Sequence, residues 1–188
     1  MYSKKKIKID FILLIIVLLL ATISLISINS AENLLGSRAD NYTIKQLIWY
    51  IIGFIAIIIL SFIKNENILK YTKYLYLAGV LSLIILLIFG KPINNAKCWF
   101  EIPHIGVFQP SEFMKIILIL FLSYFIDDFH DKYPIPSIKE ELFFLLKVAI
   151  IVGIPSILTF LQPDTGVVLI YLLITFIMLF ISGIRYRW

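Results

Sequence analysis

The sequence predicts an all-α polytopic membrane protein of about six transmembrane helices, and three observations predict it. The 188 residues are 61% hydrophobic and only 15% charged, with a mean hydropathy of +0.97, far above that of a water-soluble domain. Apolar runs long enough to cross a ~30 Å hydrocarbon core fall at 10–30, 46–63, 74–90, 109–126, 142–161 and 165–184. Basic residues also gather in alternate connecting segments, as the positive-inside rule expects.

The first run follows Lys4, Lys5, Lys6 and Lys8. It is uncharged from Phe11 to Ile28, which is long for a cleavable signal, and reads as a retained first helix. With the amino terminus inside, the cytoplasmic segments collect Lys64, Lys70 and Lys73, then Lys132, Lys139 and Lys147, then Arg185 and Arg187. Together with the first four lysines these are twelve of the seventeen basic residues. Arg38, Lys45, Lys91, Lys97 and Lys115 fall outside. Both termini are then cytoplasmic, and the whole of 1–188 is one transmembrane domain with an external segment at 91–108 and a cytoplasmic loop at 127–141.

Trp99, Phe100 and Phe108 read as an interfacial, re-entrant piece of the external segment, because indole and phenyl rings favour the headgroup level. Pro134 and Pro136 mark the segment 127–141 as a solvated loop. His104 and His130 are solitary and read as loop residues. One cysteine, Cys98, excludes an internal disulfide and fits no metal spacing. The net charge of +5 is accounted for by topology and calls for no nucleic-acid partner.

Polar residues concentrate where the fourth and sixth spans begin. Gln109, Pro110, Ser111 and Glu112 open one, and Gln162, Pro163 and Asp164 open the other from the same side. Proline suits a first helical turn because its missing N–H would be unpaired there, and a carboxylate next to it faces the positive end of the helix dipole. Lys115, three residues after Glu112, meets it on one helical face, so a structural ion pair accounts for both. A functional account uses the two acidic mouths, with Lys97 and Lys115, as an external cavity for an anionic head group whose lipid tail lies between helices. Pro155 and Gly153 interrupt span five, and the carbonyl freed by Pro155 must find a partner or border a cavity. No nucleotide-binding loop, zinc spacing or nucleophile elbow is present.

Residues 94–100, Asn-Asn-Ala-Lys-Cys-Trp-Phe, and 106–115, Gly-Val-Phe-Gln-Pro-Ser-Glu-Phe-Met-Lys, resemble the signature of the SEDS family, the RodA, FtsW and SpoVE group. Gln46 to Tyr50 with Gly53 is similar to its second span, and Gln162-Pro163-Asp164 with Gly166 to its Gln-Pro-Asp motif. Phe113 and the second span lean toward the RodA branch. The resemblance implies a multi-pass protein of the bacterial cytoplasmic membrane, a peptidoglycan glycosyltransferase that polymerises lipid II for wall elongation and cell shape beside a class B penicillin-binding protein. Lys97, Trp99, Gln109, Ser111, Glu112, Lys115 and Asp164 then line the lipid II cavity. The two lysines would stabilise the departing pyrophosphate, and the two acids would shape the cavity or hold the lysines.

Cys98 stands where the family commonly has Arg or Ser. Family members are about twice as long as this chain, and their candidate catalytic Asp lies in a large loop of the second half. No residue here is assigned as catalytic, and activity is expected only with that half supplied. No cofactor is named by the sequence, a divalent cation being the one candidate. Two further functions suit the same pattern: a lipid flippase or transporter, and a non-catalytic scaffold of a wall-synthesis complex.

Overall fold

The computed structural model describes residues 10–35, 41–63, 65–92, 96–102 and 106–184. The amino-terminal lysines, Arg38, Lys64, His104, Arg185 and Arg187 lie outside them. The chain divides into two compact units, 1–64 and 65–188.

The first unit is a helical pair, α1 (Phe11–Leu35) and α2 (Tyr42–Phe62). Asp10 caps α1 by accepting from the backbone N–H groups of Ile12 and Leu13 at 3.0 and 3.1 Å. The two helices are tied where they meet by Glu32, whose carboxylate accepts from both the backbone N–H and the hydroxyl of Thr43. No residue of α2 is buried, and the side chains of Phe11 to Leu20 are exposed. Helices apolar all round and unburied are those whose solvent is lipid.

The second unit contains α3 (Asn65–Phe89), strands β1 (Phe100–Ile102) and β2 (Gly106–Phe108), α4 (Pro110–Lys132), α5 (Ile138–Phe160) and α6 (Thr165–Ile181). Helix α4 is central and packs on α3, α5 and α6. Its buried residues Met114, Leu118 and Leu122 recur at helical spacing and share one core with Val80 and Leu83 of α3, Phe144, Val148 and Val152 of α5, and Val167 and Tyr171 of α6. Four helices, α1, α2, α3 and α5, contain stretches long and apolar enough to cross a membrane; α6 is apolar but has 17 residues, and α4 carries charges at both ends.

Two segments differ from the sequence reading. The piece expected to be re-entrant forms an antiparallel hairpin, with Phe100 opposite Phe108 and Ile102 opposite Gly106. The loop expected over 127–141 narrows to 133–137, because α4 runs on to Lys132. That last turn is held by the Asp128–Lys132 pair, 2.7 Å and four residues apart. Pro134 and Pro136 then end it, and Ser137 with Glu140 restarts the chain as α5 through a capping box.

The break at Pro155 is closed internally. Proline removes the N–H that would reach the carbonyl of Ile151, and the hydroxyl of Tyr76 on α3 donates to that carbonyl at 2.8 Å. Tyr76→Phe is expected to cost about 1 kcal/mol, toward the low end of the penalty for an unsatisfied carbonyl because this one is only partly buried. Thermal unfolding in detergent, compared with that of the exposed-ring variant Tyr74→Phe, checks this.

Candidate functional site: the paired mouths of α4 and α6

The amino-terminal ends of α4 and α6 and the segment leading into the hairpin meet through a directional chain of hydrogen bonds. The Trp99 indole N–H donates to Gln109 Oε1 at 3.1 Å, and Gln109 Nε2 donates to Asp164 Oδ2 at 2.7 Å. Ser111 Oγ, on a residue with 0% exposure, lies 3.4 Å from the same carboxylate oxygen, and Asp164 Oδ1 caps α6 by accepting from the N–H of Val167. Gln109 occupies the N-cap of α4 in extended geometry but makes no cap itself. Its amide is spent on the bridge between Trp99 and Asp164.

Glu112 follows Ser111 by one residue, a turn of roughly 100° around α4, and points elsewhere. It pairs with Lys115 at 2.7 Å, with the side chains 49% and 22% exposed respectively. The seven residues that the sequence groups together therefore separate into a network of Trp99, Gln109, Ser111 and Asp164 and an exposed pair of Glu112 and Lys115. Lys97 is half-buried and joins neither through a hydrogen bond or ion pair among the described residues. Its backbone is nevertheless fixed nearby, because its neighbour Cys98, buried, donates from Sγ to the carbonyl of Gln162 at 2.9 Å. Burial pushes the Cys98 thiol pKa up and the Asp164 carboxylate adds to it, which holds the sulfur as an unreactive donor.

Two supporting residues escape a reading of motifs alone. Tyr171, two turns into α6 from Asp164, donates from its hydroxyl to the carbonyl of Ser111 at 2.9 Å and so locks α6 to the first turn of α4. Its signal is a phenol two turns after Asp164 in a helix whose other side-chain hydroxyls are those of Thr165 and Thr175. Gln162, fully buried, donates from Nε2 to the carbonyl of Leu83 on α3 at 2.9 Å. The two Gln-Pro pairs thus do different work. The first links hairpin to helix mouth, and the second anchors the α5–α6 turn to α3.

The acidic groups at the mouth already have partners. Asp164 accepts from three donors, Glu112 is matched by Lys115, and among the described residues no three His, Cys, Asp or Glu side chains converge. Chemically the mouth offers two helix amino termini, the Lys115 ammonium and a rigid polar floor. Such a set can bind and orient an anion or a hydroxyl-bearing ligand.

Residues 10–188 match the FtsW/RodA/SpoVE family model, described as cell cycle protein. The chain is 30% identical over 179 residues to the peptidoglycan glycosyltransferase RodA of Treponema pallidum, covering 95% of this chain and 40% of that one. It is 33% identical over 193 residues to the probable peptidoglycan glycosyltransferase FtsW of Wigglesworthia glossinidia brevipalpis, covering 98% and 49%. In fold it resembles the rod shape determining protein RodA of Thermus thermophilus, with a TM-score of 0.80 at 24% identity over 97% of this chain and 56% of that one. A chain of a peptidoglycan synthase complex, solved in a study of coordinated polymerisation and crosslinking, gives 0.75 at 25% identity over 96% and 50%. The chain spans less than half the length of these two curated relatives. It is a multi-pass protein of the bacterial cytoplasmic membrane and belongs to the FtsW/RodA/SpoVE family.

Proposed function

We propose that this chain is the amino-terminal, lipid-holding portion of a RodA-like peptidoglycan glycosyltransferase, which polymerises lipid II during wall elongation beside a class B penicillin-binding protein. The observation that carries the reading is the Trp99–Gln109–Asp164 chain, closed by Ser111, which makes one rigid floor from three separate segments. Lys115 lies about one turn beyond Ser111 on α4, and Lys97 precedes the buried Cys98 in the segment before β1. In such a transfer the acceptor sugar hydroxyl loses its proton and bonds to the anomeric carbon as the undecaprenyl pyrophosphate departs. Positioned cations stabilise the charge gathering on the leaving oxygen. Lys97 and Lys115 fill that role, while Asp164 positions the floor and the base is supplied by the region the relatives have in addition. The mouth then faces outward, and the α4–α5 turn faces the cytoplasm.

The transporter reading loses one of its two supports, because the carbonyl freed at Pro155 is taken up by Tyr76, and the polar helix mouths remain its other. Lipid II polymerisation by the purified chain, with and without the second half of a full-length relative, tests the proposal. Polymer is expected only with the second half. Polymer from the chain alone would place the base within these residues, and none in either case would favour a scaffold.

A further inference from the structure

At the opposite end of α4 a cleft of about 450 Å³ separates its last turns from the first turns of α5. We propose that this cleft binds one diacyl phospholipid with an anionic headgroup, held by Lys139 and Lys147. Such binding is independent of any role in wall synthesis.

Lys147 lies on α5, a helix of 23 residues apolar enough to span a membrane, about 13.5 Å from Ile138 at ~1.5 Å per residue. A cation at that depth is costly unless it is paired or drawn toward the interface. Its ammonium reaches back over the Phe143 ring, 4.4 Å from the centroid, toward the cleft, and no ion pair of Lys147 occurs among the described residues. Both acidic residues of the cleft are engaged. Asp128 pairs with Lys132 at 2.7 Å, and Glu140 accepts the backbone N–H of Ser137 at 2.6 Å. With Lys132, Lys139 and Lys147 set against Asp128 and Glu140, the cleft carries one net positive charge.

The walls identify the ligand class. Phe129 and Phe144, buried with ring centroids 4.3 Å apart, form the floor, while Phe143 is more than half exposed at the rim. Leu142 and Leu146 flank it on the outer face of α5 and are likewise exposed. A water-soluble anion or an acidic peptide would gain nothing from this apolar surround. A phospholipid places its phosphate between the two lysines and its acyl chains along the exposed leucines, and basic clefts at such helix ends suit anionic headgroups.

Native mass spectrometry of the detergent-purified 188-residue chain tests the proposal, with dioleoylphosphatidylglycerol and dioleoylphosphatidylcholine as competing probes. One phosphatidylglycerol is expected to be retained preferentially. Lys147→Met and Lys139→Gln should each weaken that retention about fivefold, as expected for one basic residue near a lipid phosphate, and Lys147→Arg should preserve it. Lys139 is exposed in the first turn of α5, so its variant reports binding even where a change at depth disturbs folding. Equal retention of both lipids, retention unchanged in both charge-removing variants, or thermal stabilisation by inorganic phosphate equal to that by phosphatidylglycerol would overturn the assignment.

Discussion

Replacing Asp164 by alanine is expected to lower lipid II polymerisation by roughly 100-fold or more, measured with the second half of a relative supplied, the scale on which loss of a preorganised polar group is felt. The same change should cost about 2–4 kcal/mol in thermal unfolding, since a helix cap and charge-assisted bonds to Gln109 and Ser111 disappear together. Asparagine is the sharper test. If its amide oxygen caps Val167, its amide nitrogen faces Gln109 Nε2, donor against donor. Turning the Gln109 amide relieves that clash but presents Nε2 to the Trp99 N–H, which can only donate. The chain has a single direction and ends on a group both of whose oxygens must accept. Asp164→Asn should therefore retain most of the helix cap yet lose polymerisation nearly as fully as alanine. Normal activity in the asparagine variant would show that the charge and polarity of this residue are not what the site uses.

The helices were legible because hydropathy reports lipid contact directly, and α1, α2, α3 and α5 are apolar over lengths that suit a bilayer. Where α4 ends was not, because Asp127, Asp128 and Asp131 mark departure from the hydrocarbon rather than departure from the helix. Strands of three residues, as in the hairpin, are too short to show an alternating pattern, so the pairing of Phe100 with Phe108 was not legible. The parallel between the two acidic helix mouths did foretell a meeting of α4 and α6, and the carbonyl released by Pro155 was foreseeable. Its partner Tyr76, 75 residues earlier in the chain, was not, because sequence shows which groups need partners and tertiary packing decides which ones they find.

Exchanging the charges of Glu112 and Lys115 separates the ordinary role of that pair from the proposed one. As a helix-surface pair three residues apart it contributes about 0.2–0.5 kcal/mol. The exchanged pair, Glu112→Lys with Lys115→Glu, makes the same contact with its polarity reversed, and a cation in the first turn loses roughly 0.3–1 kcal/mol against the helix dipole. Unfolding in detergent should accordingly shift little, and the variant should accumulate in the membrane as the native chain does. If the pair only holds the helix together, polymerisation with the second half supplied should survive as well. If Lys115 meets the pyrophosphate, the exchange moves the cation almost a full turn along α4 and leaves a carboxylate in its place, where it repels the leaving group. A loss of roughly 100-fold is then expected, equal to that of Lys115→Ala and larger than that of Glu112→Ala, because removing the glutamate leaves the cation where it was.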